Sequence, residues 1–295
     1  MERKFLIDYA GSLSQFERLI KKFQIRRIFY KNISKGLEFD SYKNYNFDDD
    51  ARDIDWRASL RANELLTKQY VEERDINIYF VVDVSNTMLF GSNKKLKTEY
   101  AAEIVLTLSH LMLETNDNIG LIMFSDRDIK FLSPSKGKKQ FSAFLKNLSE
   151  IKYYGGNFDF EKMINSVLLK VKSPFSVIIF ISDFIHLHSS CEKNLSMLSS
   201  KFETISIMVR DNLDESIDNL PQQMVIQHPF LQKQMIVDPE ITAEKYREYT
   251  LKQKKFVKDL FLKTHIDFIE FHTDKPFTIP LVSFLKSRAT KVVAR

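Results

Sequence analysis

Glycine, cysteine and long apolar runs are all scarce in this chain of 295 residues. Its seven glycines amount to about 2.4%, against roughly 7% in ordinary proteins, which leaves little material for a glycine-rich phosphate cradle. Neither G-x-G-x-x-G nor G-x-x-x-x-G-K-[ST] occurs, and Gly137-Lys138 lacks both the upstream glycine and the following hydroxyl residue of a Walker site. The single cysteine, Cys191, permits no intrachain disulfide and no multi-thiolate zinc site, and points to a reducing compartment. The longest purely apolar runs, 78–82 and 177–181, fall far short of the roughly 20 residues that cross a bilayer, and suit buried strands. Met1-Glu2-Arg3-Lys4 and the stretch after it lack the apolar core of a signal peptide, so a cytoplasmic protein is expected.

With 44% hydrophobic and 28% charged residues the chain has the composition of a folded protein of one or two domains. The formal charge of +5 raises nucleic-acid binding as one class of function. Its lysines, however, cluster as Lys94, Lys95 and Lys97, as Lys136, Lys138 and Lys139, and as Lys252, Lys254, Lys255 and Lys258. These lie beside helical patterns, where a solvated face explains them.

Apolar and β-branched runs at 76–83, 119–124, 175–182, 204–209 and 267–271 read as strands. Between and after them, helical periodicity occupies 96–113, 139–148, 158–171, 192–200, 241–264 and 280–287. The segment 129–132 pairs with 119–124 through the turn at Ser125–Asp128. This alternation predicts an α/β fold with an open, mostly parallel sheet flanked by helices. The expected organisation is an N-terminal extension, 1–74, packed on a sheet domain, 75–295, with a loop-rich insertion at about 211–240.

Two predicted strands end in carboxylates, Asp83 and Asp183. Right-handed crossovers place the loops at these strand ends side by side at the carboxyl edge of the sheet. Asp83-Val84-Ser85-Asn86-Thr87 carries a carboxylate and two hydroxyls at alternate positions, a donor set suited to Mg²⁺ or Mn²⁺. Asp183 adds a second carboxylate, and Asn157, after Gly155-Gly156, an amide oxygen from a third loop. The bland alternative is that Ser85 and Thr87 cap a helix or turn while the aspartates satisfy backbone amides. His186 and His188 offer a zinc hint without an H-E-x-x-H partner motif, and a polar loop is the preferred explanation.

Asp83-x-Ser85-x-Thr87 with Asp183 resembles the metal-ion-dependent adhesion site of von Willebrand factor A domains, whose first motif is D-x-S-x-S. The likeness extends upstream. Tyr45, Asp49, Asp50, Arg52, Ile54, Asp55, Trp56 and Arg61 follow the Y-x-x-G-D-D-x-R-x-I-D-W-x-x-x-A-R pattern of the bacterial family labelled domain of unknown function 58. Phe39, Glu73, Met88, Gly91, Lys97, Asp117-x-x-Gly120, Asp238-Pro239-Glu240 and Arg288 add further matches. The resemblance implies a von Willebrand factor A-like fold and a Mg²⁺ or Mn²⁺ held by Asp83, Ser85, Thr87, Asn157 and Asp183. It also implies a MoxR-type AAA ATPase as partner, with an acidic side chain of a client protein completing the metal shell. The chain departs from the pattern at Asp48, where the family has glycine, at Leu60, where it has alanine, and at Asn157, where threonine is expected.

The acidic segment 48–55 reads as an ion-pair network with Arg52, Arg57 and Arg61, anchored by Ile54 and Trp56, or else as a second metal site. The function expected is a non-enzymatic, metal-dependent adaptor acting in assembly or maturation of client proteins. One alternative is a Mg²⁺-dependent phosphohydrolase related to haloacid dehalogenases, whose D-x-D-x-T motif differs from Asp83-x-Ser85-x-Thr87 at one position. The other is a basic nucleic-acid-binding module.

Overall fold

A computed structural model describes residue 5 and residues 7–19, 38–46, 54–71, 76–127, 129–217, 224–227, 234–237 and 239–293. They fall into two compact units, one of residues 32–75 and one of 1–31 with 76–295.

In the larger unit, the strands are β3 (Asn77–Asp83), β4 (Asn118–Phe124), β5 (Ile129–Ser135), β6 (Ser176–Ser182), β7 (Glu203–Arg210) and β10 (Asp267–His272). They form one sheet in the order β10-β7-β6-β3-β4-β5. Every neighbouring pair is parallel except β4 and β5, whose turn at 125–128 returns the chain antiparallel along the edge. The expected α/β architecture, a mostly parallel sheet flanked by helices, is the one observed. β3 is buried from Ile78 to Asp83 because both of its faces are covered.

On one face, Tyr79, Val81, Ile178, Phe180 and Met208 share a core with three helices. These are α5 (Phe160–Lys170), α6 (Glu192–Lys201) and α7 (Pro239–Lys263). On the other face Phe80 meets Phe144 of α4 (Gly137–Ser149) edge to face at 6.0 Å. There too lies α3 (Lys97–Glu114), which the periodicity of Tyr100, Ile104, Leu108 and Leu111 marks as amphipathic. In the fold α3 is buried almost all round, Lys97, Thr98 and Glu103 included. Its second side is covered by α4 and by α1 (Ala10–Leu19), which also packs on α8 (Thr278–Val293). Thr278 Oγ1 donates to Gln15 Oε1 at 2.6 Å, and Ser12 Oγ bonds to Glu103. The last helix runs well beyond the expected 280–287, with Leu281, Val282 and Leu285 buried along its inner face. Within the expected insertion, β8 (Met224–Gln227) and β9 (Gln234–Val237) pair as an antiparallel hairpin.

In the smaller unit β1 (Glu38–Asn44) and β2 (Leu66–Val71) pair antiparallel, joined by α2 (Trp56–Ala62). Asp55 starts α2 by accepting from the N–H groups of Arg57 and Ala58, at 3.1 and 3.2 Å. Its other oxygen accepts from Tyr42 Oη at 3.0 Å. The expected anchor role of Trp56 is corrected here: the indole is 64% exposed, and the face of α2 turned to β2 carries Ser59 instead. Tyr45 is tied by its N–H to the Leu65 carbonyl at 2.8 Å, and Arg61 is exposed. Asp48, Asp49, Asp50, Arg52, Asp53, Glu73 and Asp238 lie outside the described residues.

Candidate functional site

The chain leaves β3 for β4 on one side, whereas β6 lies on the other, so the crossovers diverge at the carboxyl ends of β3 and β6. Asp83 ends β3 and Asp183 follows β6. The two strand ends are linked directly, since Ser182 Oγ donates to Asp83 Oδ2 at 2.7 Å. The other oxygen of Asp83 accepts from the Ser85 N–H at 2.9 Å, curling the loop so that Ser85 Oγ and Thr87 Oγ1 lie 3.1 Å apart.

The Gly155-Gly156 loop is pinned alongside. The Gly155 N–H donates to the Val84 carbonyl at 2.7 Å, the Asn86 N–H donates to the Gly156 carbonyl at 2.9 Å, and the Gly156 N–H donates to Asn86 Oδ1 at 3.1 Å. Both glycines are left-handed, with φ of 106° and 89°. A Cβ at Gly156 would also run into the Asp126 carboxylate and, at 2.8 Å, Arg127 Cγ. Asn157 is exposed and exchanges backbone bonds with Asp126. Its N–H reaches Asp126 Oδ1 at 2.6 Å and its carbonyl accepts from the Asp126 N–H at 2.9 Å. Asp83, Ser85, Asp183 and the loop carrying Asn157 are thus gathered at one sheet edge, with Asp83, Ser85 and Asp183 buried and Thr87 half-buried.

Two charged residues at this edge are not among the site residues expected from the sequence. Lys97, the first residue of α3, is 1% exposed, and its ammonium donates to Asp183 Oδ2 at 2.8 Å. It also grips Asp214, at 2.8 Å to Oδ2 and 3.1 Å to Oδ1. A cation at the first position of a helix opposes the helix dipole, so the carboxylates must hold it there. That misplacement was a signal available in the sequence. Asp214 belongs to a short turn after β7 that Asp211 organises by accepting from Ser92 N–H, Leu213 N–H and Thr273 Oγ1, at 3.0, 3.1 and 2.8 Å. Asp211 is itself a carboxylate following a buried strand, the same pattern that singles out Asp83 and Asp183.

Charge balance at the edge follows from these contacts. Burial, and then the charge of Asp183, push the Asp83 carboxyl up to about 7. Burial alone would raise Asp183 as well, but Lys97 and Arg210 outweigh it and hold the carboxyl below the ordinary range. Burial lowers the Lys97 ammonium, and Asp183 and Asp214 more than restore it. Asp183 is aimed by its neighbour, Phe184, which adopts a left-handed φ of 52° at a cost of about 1–2 kcal/mol. The ring of Phe184 packs on Phe160 and Phe261, at 5.8 and 5.0 Å, and its carbonyl accepts from Gln253 Nε2 at 2.8 Å, which fixes the conformation.

The five residues expected to hold Mg²⁺ or Mn²⁺ do not fit the ion as a set. Asp183 has one oxygen on Lys97 and the other on the Ile185 N–H at 3.2 Å, and both oxygens of Asp83 are engaged.

The family model described as "Protein of unknown function DUF58" matches residues 41–255, well over half of the chain. The chain belongs to this family. No curated protein matches it. Among solved structures, the DUF58 chain is similar to the conserved hypothetical protein BatB from Bacteroides thetaiotaomicron. That match has 13% identity over 73% of this chain and 99% of that one, with a TM-score of 0.46. An aerotolerance-related membrane protein from Bacteroides fragilis gives 12% identity, 73% and 99% coverage, and 0.46. The SpRpn10 VWA domain gives 11% identity, 70% and 94% coverage, and 0.41.

Elsewhere in this DUF58 chain, groups of three ligand-type side chains occur, among the described residues, at Glu17, His110 and Glu114 and at Glu215, Glu270 and His272. His186 and His188 belong to neither. The second group is occupied by Lys254, whose ammonium lies 2.5 Å from Glu270 and 2.8 Å from Glu215. Cys191 is buried, and burial pushes its thiol up. Among the described residues no helix is long and apolar enough to cross a membrane.

Proposed function

We propose that this DUF58 protein is a non-catalytic adaptor that docks a partner protein on the loops over β3, β4 and β6. The observation that carries this reading is the division of labour within those loops. Buried Asp83, Ser85, Asp183 and Lys97 bond to one another, to Asp214 and to neighbouring groups, while Val84 and Asn86 tie the Gly155-Gly156 loop, and through it Asp126, to the loop after β3. Exposed Asp126, Arg127 and Asn157 are then held on a rigid frame, the arrangement a recognition surface requires. Arg127 supplies a guanidinium for an acidic side chain of a client. The partner that the family resemblance implies is a MoxR-type AAA ATPase, and the task it implies is assembly or maturation of client proteins in the cytoplasm.

The same bonding argues against the phosphohydrolase alternative. Asp83, which would be the nucleophile, is 2% exposed with both oxygens engaged, and Ser85 stands where the general acid would be. Affinity capture from the native cell tests the adaptor reading, with wild type, Asp83→Ala and Arg127→Glu as bait, each with Mg²⁺ and with chelator. Wild type is expected to retain a MoxR-type ATPase that both variants lose. Mg²⁺-dependent phosphatase turnover abolished by Asp83→Asn, or a salt-steep retention on RNA in place of a protein partner, would overturn it.

A further inference from the structure

We infer that Lys97 is the resident cation of this acidic sheet edge, filling the charge-balancing place that the family resemblance gives to Mg²⁺ or Mn²⁺, so that the loop frame stands without metal. The ammonium has three N–H donors, and three contacts use them: one to Asp183 Oδ2 and two to the oxygens of Asp214. It is 1% exposed. Its stem leaves the first turn of a helix buried almost all round, so the charge is placed by the core rather than by a mobile loop. The phenyl ring of Phe90 lies 5.8 Å from the nitrogen and covers it on the loop side.

The remaining oxygens of the edge are satisfied by hydrogen bonds within the same loops. Asp83 takes Ser182 Oγ and Ser85 N–H, and the hydroxyls of Ser85 and Thr87 bond to each other. Asp214 is the piece that completes the arrangement. Its turn after β7 brings a second carboxylate to Lys97, so the ammonium bridges the ends of β6 and β7 as a shared metal ion would.

This inference does not rest on the adaptor reading, because its test needs no partner. Mn²⁺ is titrated onto the purified full chain, with free Mn²⁺ read by paramagnetic resonance, and thermal unfolding is followed with Mg²⁺, Mn²⁺ and chelator. The wild type is expected to bind no Mn²⁺ in a saturable way, and its melting temperature to stay within about 1 °C under all conditions. Lys97→Met, and Lys97→Gln as a second variant, are expected to melt lower than wild type. Both should then regain stability with saturable Mn²⁺ binding, which Asp83→Asn removes. One Mn²⁺ per wild-type chain, lost on Asp83→Asn, would overturn the inference. So would a folded Lys97 variant that Mn²⁺ leaves unchanged. Should neither variant fold, the wild-type titration alone decides.

Discussion

Replacing Lys97 by methionine keeps most of the aliphatic stem and deletes only the charge. The two carboxylates that face the ammonium, Asp183 and Asp214, have side chains 2% and 9% exposed, so the variant leaves both in a poorly solvated space without a counter-ion. Breaking a buried pair in this way costs about 3–5 kcal/mol. At roughly 2–4 °C per kcal/mol for a chain somewhat shorter than this one, the melting temperature should fall by roughly 10 °C. Urea unfolding measures the loss directly. Its pH dependence separates charge from packing. In the wild type Asp183 is held below its ordinary value, so its contribution is present above about 4 and is lost as pH falls through the folded value. In the variant the same carboxyl, buried beside Asp214 with no ammonium, binds its proton more tightly folded than unfolded. Acid then stabilises it. The gap between the two proteins should therefore narrow steadily from neutral pH downward. A loss below about 1 kcal/mol, or a gap that ignores pH, would refute the claim that Lys97 acts through its charge.

Two other perturbations test separate parts of the structure. Gly156→Ala places a side chain on a left-handed residue and against the Asp126 carboxylate, and should cost about 2–3 kcal/mol in chemical denaturation; a cost under about 0.5 kcal/mol would show that the loop gives way freely. His272 is raised by its hydrogen bond to Glu270, 3.1 Å away, so its contribution is fully present below about 6.5 and fades as pH rises through the folded value. Wild type should therefore exceed His272→Gln by up to about 1 kcal/mol at mildly acid pH and match it at alkaline pH, and an undiminished difference at alkaline pH would rule this out.

Much of the sheet edge was legible from the chain alone, because buried strands announce themselves as apolar runs and a carboxylate straight after such a run has few places to go. Asp83 and Asp183 were found that way, and the order of strands then brought them together. Lys97 was not, since a lysine at a helix start reads as a solvated face unless one asks what offsets the helix dipole. Asp214 was hidden because its turn is organised by Asp211 through contacts with Ser92 and Thr273, 119 and 62 residues away in sequence. Trp56 misled in the opposite sense. Its size marks it as an anchor, but the side of α2 that meets β2 is set by the hydrogen bond from the Leu66 N–H to Ser59 Oγ, 2.9 Å long, and the indole is left outside.

The aspartate-and-lysine edge also has a place in time. Its bonds join residues 86, 99 and 117 positions apart, from Lys97 to Asp183, Ser182 to Asp83 and Lys97 to Asp214. Each of these contacts closes a long loop, so none exists until the strands that carry its two ends stand side by side. A partner that recognises the assembled edge consequently meets only chains whose sheet is complete through β7. Nascent or half-folded copies present the same residues without the surface, and the edge doubles as a certificate of finished folding.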